Sequence, residues 1–232
     1  MAYLMCGTFV QRLERASRTV STSGYLLVTT FLIRCLKPCG AKPSFMFDSV
    51  CKFLVETFPT DFATWLLGES ITLIKLSPSE LSLEPIRADA LILRQSEQVV
   101  VHIEFQTEPN ADIPFRMLDY RTRVYRRFPQ KRMYQAVVYL QETGSALVQQ
   151  TTFEIESTRH EFKVIRLWEQ PLENFLESSG LLPFAVLSQA RDRTQALRQV
   201  AERVDQLSDR TMQSNLTASA AILAGLVLEE PW

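Results

Sequence analysis

From Phe47 onward, apolar residues recur at intervals of three and four: Phe47, Val50, Cys51, Leu54 and Phe58. That period places them on one stripe of an amphipathic helix, which Pro59 helps to end. A second short helix is expected from about Phe62 to Leu67, stopping at Gly68. A short strand is expected between Ser70 and Leu76, on Ile71, Leu73 and Leu76, before the turn-rich Ser77, Pro78 and Ser79. Two segments then read as an antiparallel pair, Ile86 to Leu93 and Val99 to Gln106, joined by the polar link Arg94 to Gln98. In the second of them Val99, Val101, Ile103 and Phe105 fall on one face, and Val100, His102, Glu104 and Gln106 on the other. The alternation therefore sends Glu104 and Gln106 the same way, with an apolar face behind them.

After the loop Pro109 to Pro114, helical spacing returns over Phe115 to Phe128, with Met117, Tyr120, Val124 and Phe128 as the buried stripe. Further strands are expected at Met133 to Leu140 and Phe162 to Leu167, with Thr151 to Ile155 a candidate between them. The last part is helical: Leu172 to Leu176, Phe184 to Leu187, roughly Thr194 to Leu207, and an Ala-rich segment from Asn215 to Leu228. That final segment carries an apolar stripe with no later element to cover it, which implies a truncated or a self-associating chain. No repeat or low-complexity tract interrupts the order.

Composition bounds this picture without naming a partner. A length of 232 residues and 46% hydrophobic content suit one ordinary domain with added elements. Twenty-five basic residues stand against 26 acidic ones, a formal net charge of -1, so a nucleic-acid signal has to come from local clustering. The four cysteines, Cys6, Cys35, Cys39 and Cys51, make no disulfide framework. Cys35 and Cys39 would be half of a zinc site whose second half is missing, because His102 and His160 stand alone. Near the amino end, Arg12, Arg15 and Arg18 precede an apolar run, Tyr25 to Ile33, that is far too short to span a bilayer. Residues 1–45 are read as a loosely attached extension, with Met46 as the natural beginning, and the protein as cytoplasmic with no membrane partner. A core over 46–170 and a helical region over 171–232 complete the expected domains.

Cleaving a phosphodiester with a divalent metal requires hard oxygen ligands converging on one point. Asp89 and Glu104, on strands roughly 5 Å apart, can share one ion, and the backbone carbonyl of Phe105 adds a third oxygen. Gln106 reaches the same side and can hold the attacking water or a phosphate oxygen. Two acids on a hairpin are more often solvated surface groups. What singles these out is the apolar strand around Glu104, the hydrophobic stretch around Asp89 and the cationic helix that follows. His102 shares the face as a supporting group rather than a ligand.

The succession Arg87-Ala88-Asp89-Ala90-Leu91-Ile92-Leu93, then Val101-His102-Ile103-Glu104-Phe105-Gln106-Thr107, then Pro114-Phe115-Arg116-Met117-Leu118-Asp119-Tyr120 resembles the recombination-promoting nuclease and transposase-like group of the PD-(D/E)XK nuclease superfamily. The stretch Phe47 to Leu54 also looks like that group's first core helix, so the resemblance covers about Met46 to Leu167. It implies an α/β fold, a restriction-endonuclease-like core with a mixed sheet flanked by helices, acting on DNA with Mg2+ or Mn2+. Asp89 then corresponds to the motif aspartate, Glu104 to the motif acid and Gln106 to the place usually held by lysine, although glutamine there is itself typical of the group. Asp48 matches the acidic position opening the first helix, as a further ligand or orienting group, or as an ordinary helix N-cap.

The region from Arg116 to Arg132 holds seven cations, Arg116, Arg121, Arg123, Arg126, Arg127, Lys131 and Arg132, against the single acid Asp119. In a chain of net charge -1 such clustering points to phosphate contacts, with Arg116, Arg123 and Arg127 as DNA-binding residues. The resulting expectation is a metal-dependent DNA endonuclease linked to recombination or transposition. The alternative is a catalytically decayed DNA-binding or interaction module on the same fold.

Overall fold

The first helix, α1 (Pro43–Thr57), forms because its apolar residues share one stripe: Val50, Cys51, Leu54 and Val55 are buried, and Phe47 and Phe58 pack beside them. The computed structural model of the chain describes residues 43–76 and 91–228. Cys6, Cys35, Cys39, most of the expected 1–45 extension, and the Ile86 to Ala90 part of the hairpin, including Asp89, lie outside the described residues. Asp48 is the sixth residue of α1, so the N-cap reading of it is corrected: the helix begins well before it. Burial pushes the Cys51 thiol well above its ordinary pKa, and the nearby Asp48 carboxylate adds to this. Cys51 is therefore an inert core residue.

Helix α2 (Pro59–Leu67) opens with proline and closes at Gly68, whose φ of 74° is the left-handed conformation that glycine tolerates. The Gly68 N–H donates to the Thr64 carbonyl at 2.9 Å. Its side chain Asp61 accepts from the Gly180 N–H at 2.8 Å, which ties the helix to a segment 119 residues later. A Cβ at position 180 would stand 2.3 Å from Cβ of Phe58. Gly180→Ala is accordingly expected to destabilise the fold by about 1–3 kcal/mol through overpacking. Urea denaturation checks this, and an unchanged midpoint would show that the two segments do not meet so closely.

A five-stranded mixed sheet follows, in the order β1 (Ile74–Lys75), β2 (Leu91–Gln95), β3 (Val99–Gln106), β4 (Arg132–Tyr139) and β7 (Lys163–Arg166). The β1–β2 and β2–β3 pairs are antiparallel, and β3–β4 and β4–β7 are parallel. The strand expected over Ser70 to Leu76 shrinks to two residues. The link expected over Arg94 to Gln98 also shortens, because Arg94 and Gln95 belong to β2. Arg94 is buried near Glu56 rather than solvated. Ser96 then closes the turn, its N–H donating to the Val99 carbonyl at 2.8 Å.

Helix α3 (Ile113–Arg127) makes the crossover that a parallel β3–β4 pair requires. Its stripe of Met117, Tyr120 and Val124 is buried as the spacing predicts, against the sheet face carrying Val100 and Val137. Thr152–Ile155, the candidate strand, is β5, but it pairs with β6 (Thr158–Glu161) in a separate two-stranded ribbon turned at Glu156, whose φ is 51°.

On the opposite face, Val99, Val101, Ile103 and Phe105 join one apolar cluster with α1, α2 and the carboxy-terminal elements. These are α4 (Glu173–Leu176), a 3-10 turn (Leu182–Leu187), α5 (Arg193–Asp205) and α6 (Arg210–Ala224). Asp192 and Asp209 cap α5 and α6, each accepting from two backbone N–H groups. The apolar stripe of α6, including Leu216, Ala220 and Leu223, is buried against the 3-10 turn, α5 and α1. Earlier elements cover what no later one could, which removes the stripe as a sign of truncation or self-association. The fold is mixed α/β with helices on both faces of a mixed sheet. Among the described residues no helix is long and apolar enough to cross a membrane.

Candidate active site

Strand alternation decides what faces α3. His102, Glu104 and Gln106 leave β3 on the α3 side, and their β4 partners in register are Gln135, Val137 and Tyr139. Glu104 is fully buried there. A carboxylate without solvent must be held by donors or cations. Glu104 Oε1 receives two: the Arg116 guanidinium at 2.6 Å and the Gln106 amide Nε2–H at 3.1 Å. Arg116 comes from the first turns of α3, and 31% of its side chain remains exposed. Glu104 Oε2 has no hydrogen-bond partner and faces Nε2 of His102 at 3.6 Å, itself unpartnered.

Two phenols register this charge. Burial, then the Glu104 carboxylate, raises the pKa of both Tyr120 and Tyr139 above the usual tyrosine range. Tyr120 also sets its ring edge-on to His102, with centroids 5.0 Å apart. A line of polar side chains leads away from the carboxylate. Gln135 meets His102 Nδ1 at 3.0 Å through its Nε2 and His160 Nε2 at 2.9 Å through its Oε1. Sequence reading passed over Gln135 and treated His160 as isolated. The missed signal is that Gln135 interrupts the apolar and aromatic run Met133 to Tyr139 of β4.

His160 sits on β6, where burial, then the Arg121 guanidinium, lower its pKa below the ordinary value of about 6.5. The unfolded chain thus takes up this proton before the native one does. The His160 contribution to stability is intact above about pH 6.5, and is lost as pH falls below it until the native imidazole also protonates. His160→Gln, which keeps a donor toward Gln135, is expected to flatten that part of the stability profile. Thermal denaturation between pH 7.5 and pH 5 tests this, and an unchanged slope would contradict it.

The three positions chosen from sequence for catalysis are unequally placed. Glu104 and Gln106 come together through the 3.1 Å hydrogen bond, while Asp89 lies outside the described residues, two positions ahead of Leu91, whose Cα is opposite Glu104. The Gln106 carbonyl accepts from Leu140 N–H on the β4 side. Alternation therefore turns the Phe105 carbonyl toward the β2 side. Asp48 belongs to α1, which packs with the opposite sheet face, and its carboxylate acts on the Cys51 thiol. Among the described residues no group of three or more His, Cys, Asp or Glu gathers as a ready metal cage.

The cationic helix is more heavily engaged than its composition suggests. Arg116 pairs with Glu104, and Arg123 makes a two-point contact with Asp119 at 2.9 and 3.0 Å. Lys131 donates to Gln95 Oε1 and the Ser96 carbonyl, at 2.7 and 2.8 Å. Arg126, Arg127 and Arg132 are exposed, and Arg127 reaches over the Phe128 ring. Compared with known proteins, the chain matches no family model, no curated protein and no solved structure.

Proposed function

We propose that this chain is a metal-dependent DNA endonuclease of the PD-(D/E)XK type, with Asp89, Glu104 and Gln106 as its catalytic cluster. The observation that carries the proposal is the Glu104 carboxylate, fully buried on the central strand with one oxygen held and the other unpartnered. A buried, unpartnered carboxylate oxygen is a hard donor of the kind Mg2+ or Mn2+ selects. Asp89 and the Phe105 carbonyl would complete the ligand set; Asp48, on α1 against the opposite sheet face, stands apart from it. The bound cation supplies Lewis-acid stabilisation of the charge developing on the scissile phosphate.

The chain's own residues account for the remaining chemistry. Arg116 and Gln106 fix the carboxylate plane through Oε1 and leave Oε2 as the free donor. The second amide hydrogen of Gln106 can orient a water or a phosphate oxygen. The exposed Arg126, Arg127 and Arg132 hold the DNA backbone without reading sequence, and Arg116 and Arg123 contribute only by exchanging an acid partner for phosphate. The mixed sheet between helices suits the restriction-endonuclease-like core expected from the motif order. Its work in recombination or transposition rests on the resemblance, and a cytoplasmic location on reading residues 1–45 as a loosely attached extension.

One observation favours a second reading, a catalytically decayed DNA-binding module on the same fold. Arg116 already neutralises Glu104, so the carboxylate is balanced without a metal. Nicking of supercoiled plasmid by purified protein with Mg2+ or Mn2+, beside Asp89→Ala and an EDTA control, separates the two. Metal-dependent nicking that disappears in the variant supports the nuclease. Salt-sensitive DNA binding with no nicking supports the decayed module, and neither activity would remove both.

A further inference from the structure

We infer that His102 is a positioning residue for Glu104: a neutral imidazole held in its Nε2–H tautomer by Gln135 and aimed at the carboxylate oxygen that Arg116 and Gln106 leave free. This deepens the nuclease reading and rests on it for the role of Glu104, but the geometry stands separately. The deduction starts at Gln135, whose Nε2 lies 2.8 Å from the Met117 carbonyl. A carbonyl only accepts, so the amide nitrogen of Gln135 must be the atom on that side. The same NH2 group meets His102 Nδ1 at 3.0 Å, and this ring nitrogen must then be the acceptor. An imidazole unprotonated at Nδ1 carries its proton on Nε2.

The nitrogen carrying that proton lies 3.6 Å from Glu104 Oε2, slightly beyond hydrogen-bond length, and both atoms are buried with no other hydrogen-bond partner. The amide oxygen of Gln135 is left to accept from His160 Nε2–H at 2.9 Å. One amide on the neighbouring strand thus fixes the proton positions of two histidines. The role excludes two others for His102: with its proton turned toward Glu104, it neither ligates a metal nor serves as a base. Outer partners of this kind set the orientation of a liganding side chain. Tyr120, edge-on at 5.0 Å, packs against the His102 ring.

Long-range 15N–1H NMR correlation of the full chain labelled at histidine tests the inference. At neutral pH His102 is expected to show one population, protonated at Nε2 and bare at Nδ1. Its Nε2–H proton should move upfield in Glu104→Gln, where a neutral amide replaces the carboxylate. In Gln135→Met, which keeps the volume, the single tautomer should give way to a mixture. An Nδ1–H tautomer or an imidazolium in the parent protein would overturn the inference even if no variant folds, and a Gln135→Met protein that keeps one Nε2–H population would overturn the lock. Because none of these readings depends on DNA cleavage, a tautomer as expected in a protein without nicking activity would remove the nuclease reading and leave this geometry standing.

Discussion

Glu104→Gln is expected to nick plasmid at least about 10³-fold more slowly than the parent protein, a loss of roughly 4 kcal/mol of transition-state stabilisation. The change keeps the side-chain volume while removing the charge that a divalent cation would need. It also weakens the bond from Arg116 at 2.6 Å, and leaves an amide donor in reach of the His102 N–H. Loss of a charge-assisted hydrogen bond should lower stability by about 1.5–3 kcal/mol, which thermal denaturation measures beside the rate. A variant that melts a few degrees lower yet cuts at the parental rate would end the assignment of Glu104. A variant that loses cutting because it is unfolded at the assay temperature is identified by the same melting curve, and cooling the assay separates the effects.

Phe184→Ala should have the largest effect on folding. The Phe184 ring is fully buried in the 3-10 turn, stacked on Phe105 of the central strand at 5.7 Å and edge-on to Phe62 of α2 at 6.0 Å. Removing it opens a cavity where three parts of the fold meet, at a loss of about 3–5 kcal/mol. Against a typical total of about 5–15 kcal/mol, that is enough to leave much of the population unfolded at 37 °C. The urea midpoint measures it, with Phe184→Leu expected to lose less. A loss under about 1 kcal/mol would mean that the surrounding side chains close the space unaided.

Strand β3 was readable because its two faces differ: an unbroken apolar row packs on the carboxy-terminal helices, and the polar row faces α3. The stripe of α3 was readable for the same reason, with Met117, Tyr120 and Val124 one helical turn apart. Six consecutive buried residues, Leu182–Leu187, show no period, so the helical piece expected over Phe184 to Leu187 is longer and is a 3-10 turn. Periodicity was silent at β6, whose Thr, Arg, His and Glu have no apolar alternation and take strand form by pairing with β5. Within the candidate site, sequence could choose Glu104 but not its partners. Arg116 reaches it through the crossover, and Gln135 reaches His102 through parallel pairing of positions 33 apart. Contacts of that kind are fixed by topology, which local spacing does not encode. The charge of the arginine-rich stretch was visible, whereas its use was not, since Asp119 and Glu104 engage two of its cations.

The stacking of Phe105 on Phe184 also sets a timetable for synthesis. A ribosome adding about 5–20 residues per second needs roughly 4–16 s to travel from one phenylalanine to the other. For that interval the inner face of the nascent sheet, Val99, Val101, Ile103 and Phe105, can meet α1 and α2 but still lacks the carboxy-terminal part of its cover. Newly made chains would therefore present part of a row of apolar residues to solvent or to one another before α5 and α6 emerge. Yield of native protein should consequently depend on chaperone supply and translation speed more steeply than the stability of the finished fold suggests.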